Sequence, residues 1–336
     1  MGLVGIIANP AASKDIRRLV AQGRVVPDWE KVNTVRRVML ALQSVGADRV
    51  LAMPDSSNLV RRASDDPNIS IDLQLLDMPA LYSEGDTVRA AAAMREQGVD
   101  CLVTLGGDGT NRAAVVGSRD IPMVAISTGT NNVFPTMVEG TLAGLAAGLV
   151  AEGRVDLADV AEISKIMNVY VDGELRDIAL IDVALSKERF VATRAIWDID
   201  TIYEVFLTRA EPASIGLSSI GARLKAVSLA DDGGLRYSIA DPEATEPGRR
   251  TILAPIAPGV IPPVVISSWQ PMADGERYAV EKRDYTVALD GERAFAVNHS
   301  QQLEMEVRRN GPVVIDVELA LKVAASQGLF NLAPGN

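Results

Sequence analysis

Gly106, Gly107 and Gly109 surround Asp108 and precede Thr110 and Asn111, and these residues follow directly on the apolar run 101–105. A strand that stops at a glycine turn and opens a helix lets backbone N–H groups approach phosphate oxygens, and it aims the positive end of the helix dipole at them. Asp108 adds information, because a carboxylate aimed at phosphates is repelled unless it holds Mg²⁺ or accepts a proton from an attacking hydroxyl. The pattern therefore points to phosphoryl transfer. A plainer reading stays open at this level, in which Asp108 caps the helix and the glycines serve a tight turn. A dinucleotide fingerprint fits worse, since no GxGxxG occurs, and a Walker A loop fails for want of a Gly-Lys pair.

Other chemistries are thinly supplied. With one cysteine, Cys101, and one histidine, His299, the chain has no disulfide, no Cys/His zinc site and no Cys-His catalysis. A Ser-His-Asp triad lacks a GxSxG elbow to present its serine. Cys101 reads as core, His299 as a surface or hydrogen-bonded residue, and Trp197 and Tyr203 as packing residues ahead of base-stacking ones. Residues 1–37 carry Lys14, Arg17, Arg18, Arg24, Lys31, Arg36 and Arg37 against Asp15, Asp28 and Glu30, a basic excess in an acidic chain. Arg17 and Arg18 are candidate phosphate ligands, with a solvated helix face as the equal alternative.

These residues need a scaffold. The 336 residues suffice for two domains, and with 48% hydrophobic but 4% aromatic side chains the core must be Ala, Val, Ile and Leu, which favours an α/β architecture. The net charge of −11 repels nucleic acid and anionic membranes. The uncharged stretch 251–273 is broken by prolines and the N-terminus has no basic leader, so a cytoplasmic protein is expected. Apolar runs at 3–8, 49–52, 69–76, 101–105 and 123–127 alternate with helical segments at 14–21, 31–45, 57–63, 86–97 and 110–116, the signature of βα units around a parallel sheet. Asp86 is placed as an N-cap and Gly98 as the glycine after the helix. Residues 141–152 read as a buried helix. From about residue 163 the pattern turns β-rich, at 167–171, 223–229, 285–289, 303–307 and 313–317. Asp172-Gly173, Asp232-Gly233-Gly234, Asp290-Gly291 and Asn310-Gly311 stand between these runs as hairpin signals, and a helical piece is expected at 199–208. The expected division is an α/β domain at 1–160, a β-rich substrate domain at 161–318 and a segment at 319–336 returning to the first domain.

The motifs taken together resemble a known superfamily. The strand-end GGDGT, the first-strand segment Gly5-Ile6-Ile7-Ala8-Asn9-Pro10-Ala11-Ala12 and the segment Ser127-Thr128-Gly129-Thr130-Asn131-Asn132-Val133-Phe134-Pro135 are similar to those of NAD kinases, diacylglycerol-type lipid kinases and sphingosine kinases. Within that superfamily they look most like the ATP-NAD kinase/AcoX family, AcoX being a kinase-like protein associated with acetoin catabolism. The resemblance implies an N-terminal α/β domain with a parallel, Rossmann-like or flavodoxin-like sheet and a mostly antiparallel β C-terminal domain. It implies Asp108 as the catalytic or the Mg²⁺-organising carboxylate. Asn9, Gly106, Gly107, Gly109, Thr110, Asn111, Thr128, Gly129, Thr130, Asn131, Asn132, Arg17 and Arg18 would bind nucleotide phosphates, and Asp182 the substrate. The sequence departs from the family pattern at Val133, where lipid kinases carry an acidic residue, and at Ile181, where NAD kinases carry Asn before an acidic residue. The expected activity is an ATP- and Mg²⁺-dependent kinase acting on a hydroxyl of NAD or of a small acetoin-related metabolite. The alternative is a non-catalytic nucleotide-binding regulator. A homodimer with a small-molecule substrate, and no nucleic acid or membrane partner, is expected.

Overall fold

Short apolar runs of β-branched residues alternate with segments of helical periodicity in the first half, and they fold as βα units. The structure, a computed structural model, describes residues 2–12, 21–23, 25–129, 131–187, 199–240 and 249–331. Strands β1 (Leu3–Ala8), β2 (Arg49–Ala52), β3 (Asp72–Leu75), β4 (Cys101–Gly106) and β5 (Met123–Ser127) form a parallel sheet in the order β3-β2-β1-β4-β5. Helices α1 (Asp28–Ser44), α2 (Leu59–Ser64), α3 (Glu84–Glu96), α4 (Asp108–Ser118) and α5 (Gly140–Ala151) connect or flank them. The strand order reverses between β1 and β4, and the crevice outside the carboxyl ends of such a pair is where open α/β sheets bind ligands. All six residues of β4 are buried, as expected of a strand covered on both faces.

Helix α5 lies on α1 through a stripe of glycines. A Cβ on Gly140 would sit 2.7 Å from the Thr34 carbonyl oxygen, and one on Gly144 2.4 Å from that of Val38. Only glycine allows the backbones this close, which explains a helix whose composition is nearly all Ala, Leu and Gly. Helix α3 begins one turn earlier than expected. Ser83 is its N-cap and Asp86 stands at the third helical position, accepting from the Ser83 N–H at 3.2 Å, a capping box in which the acidic residue is the partner and not the cap. Gly98, at φ +72°, ends the helix as expected.

The chain then crosses through α6 (Leu157–Val160) and β6 (Ala161–Ile163) into two antiparallel sheets. Strands β7 (Ile166–Val171), β8 (Glu174–Ala179), β9 (Asp182–Ser186), β10 (Ile202–Leu207) and helix α7 (Leu217–Leu224) come first. Strands β11 (Gly234–Ile239), β12 (Arg250–Leu253), β13 (Pro263–Met272), β14 (Arg277–Ala279), β15 (Tyr285–Leu289), β16 (Glu292–Val297) and β17 (Leu303–Arg308) follow. The sheets run β12-β13-β11-β10-β9-β15-β16 and β14-β17-β7-β8. They share a core that includes Met167, Leu185, Phe206, Val287 and Met305, while α7 covers the opposite face of the larger sheet. No helix among the described residues is long and apolar enough to cross a membrane.

Other expectations change too. The piece at 199–208 is a short 3₁₀ turn followed by β10, because Ile202, Val205 and Phe206 are claimed by a central strand paired on both sides. The run 223–229 is not a strand; Leu217, Ile220 and Leu224 recur at helical spacing and form α7. Asp172-Gly173 and Asp290-Gly291 make the expected hairpins with positive φ, but Asp232-Gly233 joins α7 to β11. Asn310-Gly311 makes no hairpin either. It returns the chain to the first sheet, where β18 (Val313–Ile315) pairs with β5 and β6. The strand counted with the β-rich half therefore belongs to the first sheet. Helix α8 (Val317–Ser326) buries Ala320 and Ala324 in the core that contains α1 and α5. The helix expected at 14–21 lies, apart from Ala21, outside the described residues.

Candidate functional site

The loop after β1 and the loop after β4 meet side by side at the switch point. The Asn9 N–H donates to the Leu105 carbonyl at 3.0 Å, its side-chain amide donates to Thr110 Oγ1 at 2.8 Å, and its Oδ1 accepts from the Ala11 N–H at 2.9 Å. Beneath them lies Lys31, a fully buried lysine of α1. Its Nζ donates to the carbonyls of Pro10 and Ala12 at 2.8 Å each and to that of Asn9 at 3.3 Å. The ammonium gathers three carbonyls of the Asn-Pro loop and fixes the loop's path.

A third loop, after β5, closes the cradle. The Asn132 amide is wedged between two glycines: a Cβ on Gly107 would sit 2.9 Å from its Oδ1, and one on Gly129 2.9 Å from its Nδ2. Asn132 Nδ2 donates to Ser127 Oγ at 2.9 Å. Asp108, the first residue of α4, accepts the N–H groups of Val133 at 3.1 Å and Phe134 at 2.8 Å. Asp108 thus caps no turn of its own helix but ties the third loop to the second. Burial and the neighbouring Asp290 push its carboxyl up to about 7, against the pull of these N–H groups and of Arg209. Arg209 lies over the Phe134 ring, 5.8 Å from its centroid.

Asp290 comes from the β15–β16 hairpin. Its side chain is fully buried and accepts the N–H groups of Leu180, Ile181 and Asp182, the Ile181 bond being 2.7 Å. Arg112 of α4 stands 3.9 Å away and also binds Asp177 at 3.1 Å and Glu84. Burial raises the Asp290 carboxyl above its ordinary range, and Arg112 opposes the shift. Two residues on, the Glu292 carboxyl lies 3.4 Å from where a Gly109 Cβ would stand, so the second domain brings a carboxylate against the GGDGT turn.

A cavity of about 750 Å³ opens on this cradle between the two domains, within the range of sites that enclose a small ligand. Asn9, Gly107, Asp108, Gly109, Thr110, Gly129, Asn131, Asn132 and Asp182 line it. Gly106, Asn111 and Thr128 do not. A Cβ on Gly106 would meet Thr110 at 2.6 Å, and Asn111 is spent inside the fold, accepting from Thr104 Oγ1 at 2.6 Å and donating to the Gly107 carbonyl at 2.8 Å. Thr128 is buried, and its hydroxyl has no hydrogen-bond partner among the described residues. Ile181 is fully buried in the core beside Leu180, so its departure from the family's Asn removes no cavity contact. Arg17, Arg18, Thr130 and Trp197 lie outside the described residues. His299 is exposed beside Asp284, and Tyr203 packs edge-on against Tyr285.

Sequence reasoning missed Lys31, Arg112, Arg209, Asp290 and Glu292 as parts of the site. A signal existed for Lys31, since it shares a helical face with Val35, Val38 and Leu42, all buried.

The comparisons with known proteins bear on the whole chain. Residues 4–155 match the family model of the ATP-NAD kinase N-terminal domain, and residues 165–310 that of the acetoin catabolism protein X C-terminal domain. Acetoin catabolism protein X of Cupriavidus necator is 38% identical over 344 aligned positions, covering 99% of this chain and 95% of that protein. The chain belongs to the acetoin catabolism protein X family. Solved structures of a diacylglycerol kinase and of a putative one from Bacillus anthracis align with 94% of this chain and 96% of theirs, at 13% identity and TM-scores of 0.45 and 0.46. Like the family models, the observed topology combines an N-terminal α/β domain and antiparallel C-terminal sheets in an NAD kinase-like fold.

Proposed function

We propose that this member of the family is an ATP- and Mg²⁺-dependent small-molecule kinase that phosphorylates a hydroxyl group. The acceptor is NAD or, in preference, a small acetoin-related metabolite. One observation carries the reading: the GGDGT turn stands at the switch point, opens α4 and faces an interdomain cavity. Gly107 and Gly129 admit the Asn132 amide between the second and third loops, and the N-terminus of α4, with Asp108, Gly109 and Thr110 on the cavity wall, favours anions. These features suit the phosphates of a nucleotide.

The residues divide the work. Asn9, Gly107, Gly109, Thr110 and Asn132 hold and orient the phosphates. Asp108, with a carboxyl pushed up to about 7, is matched to take the acceptor's hydroxyl proton near neutral pH. The oxygen then bonds to the terminal phosphorus as ADP leaves. Mg²⁺, when bound, neutralises charge on the phosphates. It characteristically takes one or two carboxylates plus phosphate oxygens, and with Asp108 serving as the base, Glu292 beside Gly109 would be the carboxylate to hold it.

The test is product formation from ATP and Mg²⁺ with NAD, NADH, acetoin and simple diols, using the wild type and Asp108→Asn. A phosphorylated product is expected, with turnover lowered roughly 10²–10⁴-fold in the variant. A variant as active as the wild type would leave Asp108 only its loop-tying role.

A further inference from the structure

The cavity walls differ in chemistry. The first domain contributes the polar cradle. The second contributes four of the five lining carboxylates and an apolar patch made of Ile215 and Leu217 just before and at the start of α7, Ile239 at the end of β11, and Ile256, Val260 and Val265 from the β12–β13 connection and β13. The edge of this apolar wall is fixed, because the Gln22 N–H of the first domain donates to the Pro258 carbonyl at 3.0 Å. Asp108, Asp182, Asp200, Asp290 and Glu292 are the charged side chains among the described lining residues, and none of the described lining is basic.

A pyrophosphate or carboxylate resting on the second wall would lose its hydration without gaining a cation from the described lining, and would feel the carboxylates besides. A hydrocarbon there gains about 25 cal/mol per Å² of apolar surface removed from water. We infer that the second-domain wall receives the hydrocarbon body of an uncharged acceptor whose hydroxyl reaches Asp108. This rests on the kinase reading for the hydroxyl's fate, but the apolar subsite is tested by binding alone. The acceptor class favoured at this wall is an aliphatic alcohol or hydroxyketone over a dinucleotide.

The experiment titrates the full chain, without nucleotide, with straight-chain vicinal diols of four to ten carbons, by calorimetry. Affinity is expected to rise about fourfold per added methylene until the wall is covered. Ile215→Asn and Ile256→Asn should each weaken binding of the eight-carbon diol at least tenfold while leaving ADP binding unchanged, and Ile215→Leu, which conserves volume, should retain it. Affinity independent of chain length, or NAD binding tighter than every diol and unaffected by Ile215→Asn, would overturn the inference. The two readings fail separately. Length-dependent binding without any phosphorylated product would sink the kinase reading alone, and phosphorylation of NAD with a flat diol series would sink the apolar subsite alone.

Discussion

Asp108 is the residue on which the proposed chemistry turns, and its protonation has a sign that can be measured. Its carboxyl is pushed from the ordinary 3.8 up to about 7 in the folded chain, first by burial and then by Asp290. Between those values the native state holds a proton that the unfolded state has released. Raising the pH through this window therefore costs stability, with a slope of about 1.4 kcal/mol per pH unit from this group, and nothing further is lost above it. Asp108→Asn removes the titration. In urea unfolding from pH 4 to pH 8, the variant is expected to gain on the wild type up to about pH 7 and then run parallel to it. A difference that stays constant over that range would mean that Asp108 titrates as an ordinary exposed carboxylate.

At the scale of elements, the cradle is three loops held at fixed spacing by a few polar atoms. Asn132 spaces the second and third loops, Asp108 ties them, and Lys31 holds the first from below. Lys31 counted in the sequence as part of a basic N-terminal stretch, yet its ammonium is fully buried and serves carbonyls. Lys31→Met keeps the apolar stem and strands those part-buried carbonyls, each of which costs less than the about 1–3 kcal/mol of a fully desolvated unpaired acceptor. The expected result is a loss of about 2–4 kcal/mol in unfolding free energy together with a nucleotide KM raised more than kcat is lowered. Unchanged stability and KM would show that the Asn-Pro loop keeps its path without the ammonium.

At the scale of the whole molecule, the two domains are joined by more than a linker. Strand β18 returns from the second domain to extend the first sheet beside β5. Arg112 reaches from α4 to Asp177 and Asp290 of the second domain, with only 5% of its side chain exposed. Removing one partner of a buried ion pair costs about 3–5 kcal/mol, because the remaining charge is left uncompensated. Arg112→Gln is expected to lower stability on that scale and to speed hydrogen exchange at Leu180, Ile181 and Asp182, whose N–H groups Asp290 holds. Exchange that accelerates evenly over both domains would assign Arg112 to global stability and not to the junction.

The sequence by itself determined the parallel first half, the GGDGT turn and the Asn-Pro loop, because turn chemistry and hydrophobic period are properties of neighbouring residues. It also determined the hairpins at Asp172 and Asp290, where a positive φ is written in an Asp-Gly pair. The tertiary structure alone decided where separate stretches meet. It alone set Asp290 beside Asp108 and Glu292 against Gly109, sent Asn310-Gly311 back to the first sheet, and withdrew Ile181 and Asn111 from the cavity into the core. The physical reason is that burial and long-range pairing depend on what the rest of the chain packs against each residue. A carboxylate in a turn carries the same local pattern whether it ends in solvent or under three backbone N–H groups.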